Sequence, residues 1–382
     1  MIPYARQDID AADIAAVTAV LQSDWLTQGP AVERFEREMA AYCGAKYALS
    51  VSSATAALHI AVLAAGFGPG DTLVTSPNTF VASANCALYA GGAADFADTD
   101  AHTFNLSPQA LKARLEYLDA RGKRPKIVMP VHFGGEPCEM EAIGVIAKAR
   151  GLFVIEDASH AVGGSYQGGK VGNCVHSDIT VMSFHPVKII TTAEGGLLLT
   201  NNPELYEKLK MLRSHGITRE AGRLERSAEG PWYYEQQMLG FNYRMTDLHA
   251  ALGSSQLSRI DAFVRRRAEL VARYDTAFGD LPLQYQRRSV QSQSANHLYV
   301  VKLDDPGRRR AVFDALRARG VYANVHYIPV HLQPYYARLG FKAGDFPNAE
   351  AYYAGALTIP LYPRMTDAEQ ETVITAMREL LA

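Results

Sequence analysis

Residues 179–196 read Ile179-Thr180-Val181-Met182-Ser183-Phe184-His185-Pro186-Val187-Lys188-Ile189-Ile190-Thr191-Thr192-Ala193-Glu194-Gly195-Gly196. The first six residues form an apolar, β-branched run of strand type. Residues 197–200 begin a second such run, so 185–196 reads as a connection between two strands. Lys188 stands in that connection among Val187, Ile189 and Ile190. A lysine held by apolar neighbours pays desolvation, which lowers its pKa and frees the amine as a nucleophile. A lysine that forms a Schiff base needs that property.

Working outward, the same alternation recurs on the N-terminal side. Strand patterns fall at 47–51, 72–75, 94–97, 127–132 and 152–156. Helical patterns fall between them at 56–65, 81–89, 107–118 and 138–149. Strands alternating with helices predict an α/β fold whose mostly parallel sheet is covered on both faces. Two helices precede the first strand. One runs from a cap at Asp8 or Asp10 to Leu21, with Ile14, Val17, Val20 and Leu21 at helical spacing. The other follows Pro30, with Val32, Phe35, Met39 and Tyr42 on one face. Residues 219–237 are polar and aromatic and read as a long loop. A helical stretch starts near Asp247 and leads to strands at 297–303 and 321–325 and helices at 308–319 and 366–381. The expected division is a large domain over 1–246 and a connecting helix with a smaller α+β domain over 247–382.

Composition narrows the class. The 382 residues are 48% hydrophobic and 20% charged, ordinary for a globular enzyme. A net charge of −2 gives no electrostatic pull toward nucleic acid or anionic membrane. Cys43, Cys86, Cys138 and Cys174 show no metal-ligand or redox spacing, so no metal is expected. The N-terminus lacks a basic, apolar leader and no run reaches bilayer-spanning length. A cytoplasmic location is the expectation.

In an α/β sheet, ligands gather at the carboxyl ends of strands. Four features stand there. Ser53-Ala54-Thr55 opens a helix, where N–H groups and hydroxyls suit a phosphate; plain N-capping by Ser53 or Thr55 also suits them. Phe80 follows the second strand and can stack on a ring. Asp157, in Glu156-Asp157-Ala158-Ser159-His160-Ala161, ends an apolar strand, where a carboxylate needs a cation such as a pyridinium. Lys188 is the fourth. An anion cradle, a stacking ring, a carboxylate and a nucleophilic lysine together match pyridoxal 5'-phosphate.

Nearly end to end, the chain resembles the sugar aminotransferases of the DegT/DnrJ/EryC1/StrS family. The resemblance rests on Leu26-Thr27-Gln28-Gly29-Pro30, Ser53-Ala54-Thr55-Ala56-Ala57-Leu58, the Glu156–Ala161 run, Ser183-Phe184-His185 with Lys188, Glu194-Gly195-Gly196, Gly240-Phe241-Asn242-Tyr243-Arg244-Met245-Thr246-Asp247 and Val325-His326-Tyr327-Ile328-Pro329. It implies a fold type I, pyridoxal-phosphate-dependent transferase working as a homodimer. By that likeness Lys188 holds the cofactor as a Schiff base and shuttles the proton, and Asp157 pairs with the pyridine nitrogen. Ser183 and the backbone around Ala54 bind the phosphate, Asn242 reaches the phosphate of the partner subunit, Phe80 stacks on the ring, and His160 lies beside it. Sugar dehydratases of this type replace the lysine by histidine, so the retained Lys188 favours transamination.

Within the family, the lysine motif, Pro231-Trp232-Tyr233-Tyr234-Glu235 and the His297 region look most like the transaminases of pseudaminic acid biosynthesis. Those act on C4 of a UDP-linked 4-keto-6-deoxy-N-acetylhexosamine with glutamate as donor. Tyr4, Asp24, Trp25, Leu26, Thr27 and 325–328, including His326 and Tyr327, would then line the sugar-nucleotide site. Ile189 departs from the proline more common after the lysine. The competing readings are a cofactor-binding regulator, a lyase or dehydratase on the same scaffold, and an aminotransferase for another nucleotide-linked sugar, such as a GDP-perosamine or UDP-4-amino-arabinose type. The chain has no basic segment for the first and no iron–sulfur cysteine spacing for the second.

Overall fold

The computed structural model describes residues 1–226 and 229–381. Seven strands make the main sheet: β1 (Tyr47–Val51), β2 (Asp71–Thr75), β3 (Ala93–Phe96), β4 (Arg124–Met129), β5 (Phe153–Asp157), β6 (Ile179–Ser183) and β7 (Gly196–Thr200). Their spatial order is β1-β7-β6-β5-β4-β2-β3. Only β7 runs against its neighbours, pairing antiparallel with both β1 and β6. The other adjacent pairs are parallel.

Alternation along each strand explains why both faces are covered. On β4, Ile127 and Met129 join one core and Val128 the other. The first face packs α3 (Ala54–Ala64), α4 (Ala82–Tyr89) and α7 (Pro203–Arg213). The opposite face packs α1 (Ala11–Leu21), α2 (Pro30–Cys43), α5 (Pro108–Asp119), α6 (Met140–Arg150) and α8 (Asp247–Leu257). Phe35 of α2 is fully buried and meets Phe184 edge-on at 5.3 Å. It also lies against Gly253 of α8, where a Cβ would come within 2.7 Å of the ring. The second helix is thereby anchored behind the Lys188 loop.

A second, smaller sheet contains β8 (Leu283–Tyr285), β9 (Tyr299–Leu303) and β10 (Ala356–Ile359), antiparallel in that order. It is covered by α9 (Ile260–Phe278), α10 (Arg309–Ala318) and α11 (Asp367–Leu381). Ile2, from the far N-terminus, is buried in this same core. Among the described residues no helix is long and apolar enough to cross a membrane.

Two expectations need correction. Residues 321–325 are not a strand: their backbone pairs only through isolated bridges, Ile2 to Val321 and Asn324 to Thr358, although Val321 and Ala323 pack in the smaller core. The positions beside β9 are filled by β8 and β10 instead. On α1 the spacing gave an inward face of Ile14, Val17, Val20 and Leu21, yet Ile14 and Leu21 are 62% and 59% exposed. Asp13 and Val20 are buried, because Asp13 turns inward to meet Arg259 and Gln256. The expected 219–237 loop is largely irregular but carries a short turn at Ala221–Arg223. A two-residue ribbon joins Ile217–Thr218 to Glu235–Gln236. Residues 227 and 228 of it lie outside the described residues.

Candidate active site

The carboxyl ends of β5 and β6, the start of α3 and the 297 and 326–327 segments surround one cleft of about 450 Å³. That volume suits a cofactor-sized molecule. Tyr4, Ser53, Ala54, Thr55, Phe80, Asp157, His160, Ser183, Lys188, His326 and Tyr327 all line it. These are most of the positions singled out in the sequence. Trp25, Leu26, Thr27 and Asn242 do not line the cleft of their own chain; all four are exposed. Thr27 bridges Thr246 and the Asp247 N–H donates to the Leu26 carbonyl at 3.0 Å, whereas Asn242 bridges Ser214.

Lys188 is placed by the backbone of its loop. The Phe184 carbonyl accepts the Thr192 N–H and the Thr191 hydroxyl, both at 3.0 Å. The Phe184 N–H donates to the Gly195 carbonyl at 3.0 Å. Between these ties, Lys188 donates its N–H to the His185 carbonyl at 2.9 Å in a tight turn. Ile189 and Ile190 fill the core beneath. Burial pulls the Lys188 ammonium down to about 8, against the opposing pull of the nearby Asp157 carboxylate. A group so tuned exchanges protons near neutral pH.

Asp157 ends β5 and is 4% exposed. Its Oδ2 accepts the Ser83 hydroxyl at 2.7 Å, and its Oδ1 accepts the Ser159 N–H at 3.1 Å. Because Ser83 spends its proton on Asp157, its oxygen accepts the Thr79 hydroxyl at 2.8 Å. Strand alternation sends the adjacent Glu156 to the opposite face. There it meets His132 Nε2 at 2.8 Å and accepts from Ser177 and Thr180. The two acidic neighbours therefore serve separate networks.

Ser53 is the N-cap of α3, with its Oγ accepting the Ala56 N–H at 3.2 Å. Capping is thus real, and it leaves the hydroxyl beside the first turn, which faces the cleft. Gly196 lies directly behind this turn. A Cβ there would stand 2.6 Å from the Ala54 nitrogen and the Ser53 carbonyl, far inside contact distance. Glycine is what lets β7 and the helix start close up.

Three histidines complete the wall. His160, His297 and His326 are all buried, and His160 and His297 lie 4.5 Å apart. Burial, with positive neighbours, pushes the first two well below the usual imidazole range and His326 down to about 4. His297 Nδ1 has no hydrogen-bond partner among the described residues. Its carbonyl is held by the fully buried Arg267, which also binds the carbonyls of Asn296 and Leu361. Ser83 and the role of His297 in the wall were not singled out from the sequence. Ser83 sits inside an unremarkable helix, 74 residues from its carboxylate.

Similarity to known proteins agrees with this geometry. Spore coat polysaccharide biosynthesis protein SpsC of Bacillus subtilis is 42% identical, over 100% of this chain and 97% of that protein. Among solved structures, Spr1654 of Streptococcus pneumoniae in its PMP-form is 29% identical with a TM-score of 0.92, covering 100% of this chain and 99% of that one. Helicobacter pylori PseC, an aminotransferase involved in the biosynthesis of pseudaminic acid, is 30% identical with a TM-score of 0.90, again over 100% and 99%. The architecture shared with them is the type I aminotransferase fold. The DegT/DnrJ/EryC1/StrS aminotransferase family matches residues 7–378. A family match over nearly the whole length, resting on a cleft that assembles the expected lysine, carboxylate and helix start, establishes that this chain belongs to the DegT/DnrJ/EryC1/StrS aminotransferases.

Proposed function

We propose that the protein is a pyridoxal-phosphate-dependent sugar aminotransferase that moves the amino group of L-glutamate to C4 of a UDP-linked 4-keto-6-deoxy-N-acetylhexosamine, as in pseudaminic acid biosynthesis. The observation that carries the reading is the desolvated Lys188 amine sharing one cleft with Asp157 and the α3 N-terminus.

The residues present fit that cofactor. Gly196 lets β7 close up behind the Ser53–Thr55 turn, whose first-turn N–H groups line the cleft where a phosphate would sit, and Ser183 adds a hydroxyl from the end of β6. Asp157 would hold the ring nitrogen, Phe80 would offer a face to the ring, and Lys188 would carry the cofactor covalently. When bound, the cofactor supplies an electron sink and a carrier for the amino group. Lys188 Nζ would take the proton from the amino-bearing carbon of the donor. In the reverse half-reaction it delivers a proton to C4 of the sugar. His160 stays neutral beside it and does not compete for that proton. Tyr4, His326 and Tyr327 bind the sugar from the cleft's own chain.

Trp25, Leu26, Thr27 and Asn242 act across a homodimer in this reading. Their exposure supports it, since Trp25 and Leu26 present apolar side chains that are 56% and 49% exposed. In each cleft the phosphate would then also meet Asn242 of the partner subunit.

Incubation with L-glutamate and the UDP-4-keto sugar should yield 2-oxoglutarate and a 4-amino sugar nucleotide, identified by mass spectrometry. A second reading keeps the chemistry and changes the sugar. The higher identity to SpsC, 42% against 30% for PseC, favours it. It is adopted if only a different nucleotide-linked keto sugar is aminated.

A further inference from the structure

His160 accepts at one ring nitrogen and faces a hydroxyl at the other. The Gly134 N–H points at His160 Nδ1 at 3.3 Å, and the Tyr327 hydroxyl lies 3.1 Å from Nε2. The Gly134 donor is held in place from several sides. The preceding Phe133 N–H is tied to the Asn105 side chain at 2.9 Å, and the Gly134 carbonyl accepts the Leu298 N–H at 3.1 Å. The Gly135 carbonyl accepts the Ala295 N–H at 3.0 Å. Gly134 itself has φ 67, which glycine adopts without strain.

A nitrogen that accepts an N–H cannot itself carry a proton. Neutral His160 must therefore hold its proton on Nε2, and that proton is donated to the Tyr327 oxygen. The groups facing the imidazole are Lys188, His297, His326 and Tyr327, and none is an anion that would favour the imidazolium. With its lone pair engaged by His160, the Tyr327 hydroxyl has its own proton to give. Among the described residues it makes no other hydrogen bond, and its ring lines the cleft with Lys188.

We propose that Gly134, His160 and Tyr327 form a one-way hydrogen-bond chain that fixes Tyr327 as a donor to the carbonyl oxygen of the amino acceptor. His160 is then a positioning residue and Tyr327 the group that touches substrate. The proposal rests on the aminotransferase reading and deepens it by assigning Tyr327 to the keto-substrate half-reaction. A donor there stabilises charge that grows on the carbonyl oxygen as nitrogen attacks. In the glutamate half-reaction the matching oxygen enters from water only when the keto acid is released, so the proton abstraction at the donor carbon that precedes release makes no use of the tyrosine proton.

Two measurements test this. In the cofactor-free protein labelled with 15N-histidine, His160, assigned by its loss in His160→Gln, should show a protonated Nε2 and a bare Nδ1 from pH 8 down to pH 6. A protonated Nδ1, or an imidazolium in that range, overturns the chain. In single-turnover experiments on the loaded enzyme, Tyr327→Phe should slow the step with keto sugar by about 100-fold, the effect of one lost transition-state donor. The glutamate-driven loss of the lysine-bound cofactor absorbance, read before keto-acid release, should change less than about threefold, within ~0.7 kcal/mol. Equal slowing of both steps overturns the assignment of Tyr327 while leaving the aminotransferase reading intact. A failed glutamate step in the unmutated protein would instead defeat the reading beneath it. His160→Gln, which also has an N–H to donate, should recover most of the keto-sugar rate that His160→Leu loses.

Discussion

At the scale of single residues, the account turns on protons held at named atoms. Lys188 is pulled down to about 8 by burial. Its folded value is below the ordinary lysine range, so the free amine grows as pH rises through about 8. The rate at which cofactor-free protein captures pyridoxal phosphate should follow that rise, with a midpoint near 8; a midpoint above 10 would contradict the desolvation argument. Lys188→Ala should lower amino transfer by at least ~10³-fold, the upper part of the range for losing a positioned base. Ser83→Ala removes the 2.7 Å bond to Asp157 Oδ2. Hydrogen bonds to charged groups are worth about 1.5–3 kcal/mol. Transfer rates should fall by about tenfold or more, with circular dichroism unchanged. Much of this was legible in the chain: Lys188, Asp157, Ser53 and Phe80 are where strand ends put them. Ser83 was hidden because its partner is distant in sequence and a serine inside a helix carries no local signal.

At the scale of elements, the fit between β7 and the start of α3 is the most demanding contact. Gly196→Ala places a methyl 2.6 Å from the Ser53 and Ala54 backbone, which interiors do not absorb without displacement. Cofactor affinity, measured by equilibrium dialysis, should weaken by roughly tenfold or more, equal to ~1.4 kcal/mol. Gly222→Ala, with nothing within 4 Å, is the neutral control. If both variants retain cofactor equally, the cradle is not where the phosphate sits. The strands of the main sheet were readable because a buried parallel strand is a short apolar run bounded by breakers. Residues 321–325 misled because Val321-Tyr322-Ala323-Asn324-Val325 has strand composition, whereas its backbone bends, with the Ala323 N–H on the Val321 carbonyl at 3.2 Å. The true edge partners, Leu283–Tyr285 and Ala356–Ile359, have only three and four residues, too few for a periodic signal.

At the scale of the whole molecule, the N-terminal segment ties both cores to the cleft. Ile2 is buried in the smaller core, Tyr4 lines the cleft, and Asp8, Asp10 and Asp13 converge on Arg259 at the start of α9. Arg259→Ala leaves Asp13 buried with Gln256 as its remaining side-chain partner from outside α1. A loss of about 2 kcal/mol is expected from denaturant titration, below the full cost of orphaning a buried charge because Gln256 remains. The KM for the keto substrate should rise with it, since Tyr4 is held by the same segment. What sequence could not show at this scale is where Trp25–Thr27 and Asn242 act. They lie outside their own cleft, and their proposed roles depend on a second copy of the chain. Central to the whole account is amino transfer through Lys188 to a nucleotide-linked keto sugar, and one experiment addresses it directly. The loaded protein is titrated with L-glutamate until the visible absorbance of the lysine-bound cofactor is lost, and the UDP-4-keto-6-deoxy-N-acetylhexosamine is then added. The account predicts that the absorbance returns in step with a 4-amino sugar nucleotide, and that borohydride reduction followed by peptide mapping puts the cofactor mass on Lys188. Absorbance that never returns with any nucleotide-linked keto sugar, or a cofactor mass on another residue, would contradict it.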